Sequence, residues 1–328
     1  MIRFGIIGTN WITDELIRSA QHIEDFQLTA IYSRTEKKGR EFAAKYGVEI
    51  VYTNIEEMAQ SDQLDAVYIA SPNSFHAEQS IMFLQNGKHV LCEKPIASNP
   101  AELEKMISTA KKHNVLLMEA LKTTLLPNFK AVQANLNKIG KVRRIFANFS
   151  KYSSRYDAYR EGTILNAFNP DFSNGSLMDL GIYCVYPLVV LFGEPKKVHA
   201  NAVMLDSGVD GSGSLILQYD DFEAVLTHSK IVNSYIPSEI QGEDGSIIIK
   251  EISTPENVEI RYRDGELEKI GQPYTVPSMY YEVEEFINLI KSGKTESKVN
   301  SYENSLITAR ILAEARRQIG LTYPADLI

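Results

Sequence analysis

Cysteine is scarce in this chain of 328 residues: only Cys92 and Cys184 are present. They stand far apart in apolar contexts. That argues against a disulfide-built scaffold and points to reduced, buried thiols in a cytoplasm. Tryptophan is scarcer still, with Trp11 alone. There is no Lys/Arg-rich block and the formal net charge is −8, so no nucleic-acid surface is expected. No apolar run reaches the roughly 20 residues that span a bilayer, so no membrane contact is expected. The first residues enter an apolar strand without the basic start or small-residue cleavage site of a signal peptide, and no targeting segment is expected. Repeats and low-complexity segments are lacking, and no metal site is expected. What remains is an ordinary globular composition, 44% hydrophobic and 23% charged. The chain is long enough for two domains, each with its own core.

Apolar runs alternate with helical patterns up to Leu121. Strands are predicted at Arg3–Ile7, Leu28–Tyr32, Ala66–Ala70, His89–Cys92 and Leu116–Met118. Helices are predicted at Ile12–Ile23, Glu36–Tyr46, Ile55–Gln60, His76–Asn86 and Pro100–His113. The stretch Asn99-Pro100-Ala101-Glu102 reads as a helix start, an Asn cap with proline in the first turn. This alternation predicts an α/β domain on a doubly wound, mostly parallel sheet over residues 1–121. The pattern then changes. A helix (Asn128–Lys138), an alternating strand (Val142–Phe149), a polar aromatic loop and a second helix (Ser176–Leu191) precede a succession of strand-like runs from Val198 to Tyr262. Asp210-Gly211-Ser212 and Glu243-Asp244-Gly245 are expected as hairpin turns. Residues 122–328 therefore read as an α+β domain on a large, mostly antiparallel sheet, closed by helices at Tyr280–Lys291 and Tyr302–Ile319.

The turn after the first strand lacks two of the three glycines of a dinucleotide fingerprint. In G-x-G-x-x-G/A, Gly8 holds the first place, Asn10 the second and Thr13 the third. The glycines serve a tight turn, a close approach to a pyrophosphate and close packing of the next helix. Asn enters left-handed backbone space more readily than most residues, and Thr is small. Gly8-Thr9-Asn10-Trp11-Ile12 can therefore keep that form, although many such turns bind nothing. The end of the second strand lacks the Asp or Glu that holds a free ribose 2′-hydroxyl. Ser33 and Arg34 stand there, with Lys38 a helical turn on. That suits a 2′-phosphate and predicts NADP rather than NAD; a solvated helix start would carry the same residues.

Two further stretches lie where a strand's carboxyl end meets a loop, the ligand-binding edge of open α/β sheets. They are Ser71-Pro72-Asn73-Ser74-Phe75-His76 and Glu93-Lys94-Pro95. Each has a plain alternative: Glu93 and Lys94 as a surface pair, His76 as a helix N-terminal residue. Further on comes Gly175-Ser176-Leu177-Met178-Asp179-Leu180-Gly181-Ile182-Tyr183. In this order and spacing the motifs resemble the glucose–fructose oxidoreductase / inositol dehydrogenase family (Gfo/Idh/MocA), over nearly the whole chain. Tyr183 with Ser33-Arg34 is most similar to the branch of dimeric dihydrodiol dehydrogenases, NADP-dependent xylose dehydrogenases and glucose–fructose oxidoreductase. The resemblance implies a Rossmann domain, with the cofactor held by Gly8, Thr9, Asn10, Trp11, Ile12, Ser33, Arg34, Lys38, Ser71, Pro72, Asn73, His76, Glu93 and Lys94. It implies that Lys94, Asp179 and Tyr183 line the site of a sugar-like substrate beside the nicotinamide. It also implies that the second sheet joins subunits. The chain departs from the branch at Asn10 and at Glu119-Ala120-Leu121-Lys122-Thr123-Thr124, where Lys122 stands for Trp and Thr124 for Arg. Substrate identity is therefore not carried over.

The expected reaction is hydride transfer between nicotinamide C4 and a carbonyl or alcohol carbon of a sugar, polyol or trans-diol. The protein then has one proton to manage. A tyrosine with its ordinary pKa of about 10 is a poor base near neutrality. An adjacent ammonium lowers that value, and Lys94 is the candidate. Asp179 and Tyr183, four residues apart, share a helix face; Asp179 is expected to orient a substrate hydroxyl or to hold Lys94. The alternatives are Tyr183 as a core aromatic and Trp11 as either a pocket wall or a packing residue. Two other functions compete: a catalytically silent NADP-binding sensor, and an enzyme that recycles a cofactor it never releases. The presence of Lys94, Asp179 and Tyr183 together favours catalysis over the sensor. Apolar residues on both faces of Ser214–Tyr219 predict a homodimer or larger symmetric oligomer.

Overall fold

In the computed structural model, which describes residues 1–327, strands and helices alternate from the start. They are β1 (Ile2–Ile7), α1 (Trp11–Ala20), β2 (Phe26–Tyr32), α2 (Glu36–Ala44), β3 (Ile50–Tyr52), α3 (Ile55–Gln60), β4 (Ala66–Ile69), α4 (His76–Gln85), β5 (His89–Glu93), α5 (Pro100–His113) and β6 (Leu117–Ala120). The six strands form one sheet in the order β3-β2-β1-β4-β5-β6, every neighbouring pair parallel. The order reverses between β1 and β4. That reversal opens a ligand crevice beyond the carboxyl ends of those two strands. Strands of such a sheet are covered on both faces, so they read as near-continuous apolar runs. Phe4, Ile6, Ile7 and all four residues of β4 are at most 1% exposed. The start of α5 matches the sequence reading: Asn99 Oδ1 accepts the Glu102 N–H at 2.9 Å, with Pro100 in the first turn.

From Lys122 the chain builds a second unit. Its elements are α6 (Pro127–Asn135), β7 (Val142–Ser150), α7 (Tyr156–Arg160), α8 (Ile182–Phe192), β8 (Lys197–Met204), β9 (Asp210–Gln218), β10 (Glu223–Ser229), β11 (Ser238–Gly242), β12 (Gly245–Ile249), β13 (Val258–Tyr262) and β14 (Leu267–Lys269). Eight strands form a sheet in the order β14-β13-β12-β11-β7-β10-β9-β8. Only β7 and β10 pair in parallel. A π-helical turn, Leu177–Gly181, leads into α8. By length and composition the helical stretch Pro170–Phe192 could cross a membrane, contrary to the sequence reading. However, 67% of its apolar window is buried in the protein, as in a core helix.

The turn expected at Asp210-Gly211-Ser212 lies earlier. Gly208, at φ +90, closes it, with Leu205 N–H donating to Val209 O at 2.9 Å. Asp210 is instead the first residue of β9 and fully buried.

The chain divides into two compact units, Met1–Leu121 with Val276–Tyr302, and Lys122–Thr275 with the residues after Tyr302. The sequence reading placed everything after Leu121 in the second domain. Instead α9 (Tyr280–Lys291) belongs to the first unit. Its Val283, Phe286 and Ile287 are at most 1% exposed, and the Phe286 ring lies 5.8 Å from that of Phe4. Lys291 pairs with Asp25. Each buried apolar side chain contributes about 1.5–3 kcal/mol, enough to draw the segment back. The last long helix, α10 (Tyr302–Ile319), follows the return. Cys92 and Cys184 are both buried and unpaired.

Candidate functional site

After β1 the chain turns at Gly8, with φ +105; a Cβ there would lie 2.6 Å from the Ala70 carbonyl oxygen just past β4. Only glycine fits. Asn10 does not use left-handed space: its backbone is extended, with φ −107 and ψ 178. It acts as a cap. Its Oδ1 accepts from the Ile12 and Thr13 N–H groups at 3.1 and 3.3 Å, and its Nδ2 donates to Ala70 O at 3.0 Å. A glycine at this place would lose both the cap and the tie from the turn to the end of β4. Thr13 is fully buried, as close packing of α1 requires. Thr9 and Ile12 are half-buried on either side of the turn tip. Trp11 is 67% exposed, which removes packing as its role.

At the end of β2, Ser33 is buried and its N–H donates to Tyr52 O at 3.0 Å. Gly39 lets α2 lie close over it, since a Cβ there would sit 3.1 Å from Ser33 Cβ. Arg34 and Lys38 are exposed, and neither makes an ion pair or side-chain hydrogen bond among the described residues. Arg40, on the same helix, pairs with Glu36 at 2.8 Å. Two unpaired cations beside a buried serine fit a 2′-phosphate. Together with the Gly8 turn, these residues fit NADP.

His76 opens α4 and is fully buried. Its Nδ1 lies 2.9 Å from Pro95 O and its Nε2 2.9 Å from Ser71 O. Expected among the cofactor-binding residues, it ties together the two loops that the motifs mark. Burial lowers its pKa; the two carbonyls oppose that shift and the Lys94 charge adds to it. Ser71 Oγ donates to Gln79 at 2.7 Å, and Pro72 and Asn73 are half-buried in the same loop. Glu93 is buried, not on the surface, and accepts the Tyr68 hydroxyl at 2.5 Å. Burial, reinforced by Glu93, pushes the Tyr68 hydroxyl well above its usual range. Lys94 is half-buried and precedes a cis bond to Pro95. Beyond it, Ile96 N–H donates to Glu119 Oε1 at 3.1 Å. The backbone just after Lys94 is thus held by His76 at Pro95 and by Glu119 at Ile96.

In the second unit, the motif from Gly175 to Tyr183 is pinned at several points. Gly175 leaves room for Asp210, whose Oδ1 a Cβ would meet at 2.2 Å. Asp210 Oδ2 accepts the Leu177 N–H at 2.7 Å. Ser176 Oγ lies 2.8 Å from His228 Nδ1. The His228 ring fits between Gly181 and Gly213, where added Cβ atoms would lie 3.2 and 2.8 Å from it. Burial pushes Asp210 up to about 6 and His228 down to about 3. Asp179 is ion-paired within its unit to Lys230, 2.9 Å away. Tyr183 is half-buried and packs edge-on against Phe149, with centroids 5.3 Å apart. Between Asp179 and Tyr183 the helix is not regular: Ile182 N–H reaches back to Leu177 O in the wide turn.

The sequence reading missed Asp210, His228 and Lys230. One signal was available: His228 and Lys230 lie two apart at the end of a strand and so on one face, next to the apolar run Ala224-Val225-Leu226. Asp210 was hidden by its turn-like neighbours.

A profile of the oxidoreductase family with an NAD-binding Rossmann fold, Gfo/Idh/MocA, matches residues 2–121, and the profile of the Gfo/Idh/MocA C-terminal domain matches residues 132–248. The chain belongs to the Gfo/Idh/MocA oxidoreductase family. The scyllo-inositol 2-dehydrogenase (NADP(+)) IolU of Bacillus subtilis is 62% identical over 326 residues, 99% of each chain. A trans-1,2-dihydrobenzene-1,2-diol dehydrogenase of Xenopus tropicalis is 32% identical, over 98% of this chain and 99% of its own. The fold is shared with KijD10, a 3-ketoreductase from Actinomadura kijaniata solved with NADP and TDP-benzene. Its TM-score is 0.84 at 24% identity, covering 97% of this chain and 98% of that one. In this Gfo/Idh/MocA chain the departures Lys122 and Thr124 fall in the short 3₁₀ turn Lys122–Leu125. Thr123 Oγ1 donates to Ser253 O at 2.7 Å there, and Thr124 is 1% exposed.

Proposed function

We propose that this oxidoreductase is an NADP-dependent dehydrogenase of an inositol or closely related cyclic polyol. The 62% identity over 99% of both chains with a scyllo-inositol 2-dehydrogenase (NADP(+)) carries this reading. The exposed, unpaired Arg34 and Lys38 beside buried Ser33 support the cofactor choice. NADP, when bound, supplies the acceptor for a hydride leaving the carbinol carbon. This chain's residues manage the rest. The alcohol loses its C–H bond with both electrons and its O–H proton, and a ketone forms. Tyr183, as the phenolate, takes that proton at its oxygen and becomes the neutral phenol. Lys94 steadies the negative charge that develops on the reacting oxygen. Asp179 accepts a hydrogen bond from a neighbouring hydroxyl. Ketone reduction runs the same roles backwards.

The protein works as a homodimer or larger symmetric oligomer joined through the second unit's sheet. The exposed Ile216 and Val203, on the open face of β9 and β8, support this, while Leu215 and Leu217 are buried on the other face. Its place is the cytoplasm, in keeping with two unpaired, buried thiols. The test is kcat/KM with NADP across inositols, aldoses, acyclic polyols and trans-diols. The highest value is expected for an inositol. A higher value for an aldose or trans-diol would overturn the substrate class. NADP binding without turnover on any of them would favour the silent sensor.

A further inference from the structure

Lys230 follows β10, and its side chain is 3% exposed. Its Nζ lies 2.9 Å from Asp179 Oδ2, 3.0 Å from Ala167 O and 3.1 Å from Asn174 Oδ1. The Phe168 ring centroid is 5.3 Å away. An ammonium has three N–H donors, and three acceptors at these distances engage them all. The Asp179 side chain is 35% exposed. The pair thus runs from the interior outward, with the cation inside and the carboxylate at the wall. This reverses the usual surface pair, in which lysine reaches outward and its head stays in water. A buried ammonium is expensive unless paired and hydrogen-bonded, so a purely structural position would more simply carry an apolar residue. Lys230 also completes a set: Asp210 holds Leu177, His228 holds Ser176, and Lys230 holds Asp179. Asp210 opens β9, His228 lies in β10 and Lys230 follows it; together they hold Leu177 and Asp179 of the π-helical turn and Ser176 just before it.

We infer that Lys230 is a positioning residue that fixes the Asp179 carboxylate, ionised and in one orientation, to accept a hydrogen bond from a substrate hydroxyl. The inference rests on the proposed role of Asp179. Removing the ammonium also removes an opposite charge, so the Asp179 carboxylate should then take up a proton at higher pH. Four other titratable groups lie on or against this turn: Asp210 on β9, His228 on β10, Tyr183 on α8 and Tyr323 after α10, whose hydroxyl donates to Asn174 O at 2.8 Å. Any pH effect must therefore be shown to act through Asp179.

The experiment compares Asp179→Asn, Lys230→Met, Lys230→Arg and the Asp179→Asn/Lys230→Met double variant. Each is assayed with scyllo-inositol and NADP, with NADP affinity and melting measured alongside. Lys230→Met should lower kcat/KM on the order of 10²-fold and leave NADP affinity unchanged. Lys230→Arg should recover part of that loss. The acid limb of the Lys230→Met pH profile should move up by about one unit. In the Asp179→Asn background, Lys230→Met should add little and move no acid limb. If the Met variant does not fold, Lys230→Gln carries the same test, since it keeps two donors and loses the charge. An inactive Asp179→Asn with a fully active Lys230→Met, or full additivity of the two losses, overturns this inference alone. A fully active Asp179→Asn overturns both it and the role of Asp179.

Discussion

His76 Nδ1 lies 2.9 Å from the carbonyl oxygen of Pro95, one residue beyond Lys94. The same ring reaches Ser71 O with its other nitrogen. The imidazole therefore sets the distance between the two loops at the carboxyl ends of β4 and β5. His76→Ala should lower kcat on the order of 10²-fold by misplacing Lys94. It should also cost about 1–3 kcal/mol of stability by stranding a buried carbonyl. Steady-state kinetics and denaturant unfolding check both. An unchanged kcat in a stably folded variant would show that the clamp does not serve catalysis.

Arg34 and Lys38 should set cofactor preference. Each charge-assisted contact to a phosphate is worth about 1.5–3 kcal/mol, so the wild type should prefer NADP over NAD by at least about tenfold. Arg34→Ala should raise the Kd for NADP far more than that for NAD. Salt should weaken the preference, because both cations are exposed. Calorimetric titration with both cofactors decides; equal wild-type affinities would reduce the two residues to a solvated helix start.

Trp11 is the single tryptophan and is exposed at the tip of the Gly8 turn. NADP binding should change its fluorescence, with a saturation curve that matches the calorimetric Kd. Trp11→Phe should abolish the signal. Unaltered emission at saturating NADP would place the cofactor away from this turn.

Burial pushes His228 down to about 3 from its usual 6.5. The unfolded chain takes up that proton near its usual pKa and the folded chain only near the lowered one. Stability is therefore lost as pH falls from about 6.5 toward about 3. Burial of His76 acts in the same direction. Asp210, raised to about 6 from 3.8, acts in the opposite direction between those values, because the folded state holds its proton more tightly. His228→Gln removes one of these contributions and keeps the other two. Its melting temperature should fall less than that of the wild type between about pH 7 and about pH 5. Parallel curves would mean that His228 ionises in the folded state at its usual pH.

Local periodicity carried much of the fold. The start of α5 at Pro100 was legible from a cap and a proline, and the parallel sheet from alternating runs. Strands β3 and β14 were not, because each has three residues and neither is fully buried. The return of α9 to the first unit has no local signature either. It depends on Phe286 meeting Phe4 across most of the chain length. In the candidate site, Gly8, Lys94, Asp179 and Tyr183 were legible because a motif carries each of them. The groups that hold them were not. Asp210 looked like a turn residue, and Lys230 is brought to Asp179 only by the pairing of β10 in the sheet. Asn10 was noticed for the wrong reason: as a tolerated substitute for glycine, when it is a helix cap with a second bond to Ala70.

The central claim is that this chain transfers a hydride between a cyclic polyol and NADP, with Tyr183 relaying the proton. The most direct measurement mixes the purified protein with scyllo-inositol and NADP and follows formation of NADPH, for the wild type and for Tyr183→Phe. The wild type should turn over, and the variant, with its fold and NADP affinity kept, should lose roughly 10²–10⁴ in kcat. A wild type that forms no NADPH, or a Tyr183→Phe variant that matches it in kcat, would contradict the account.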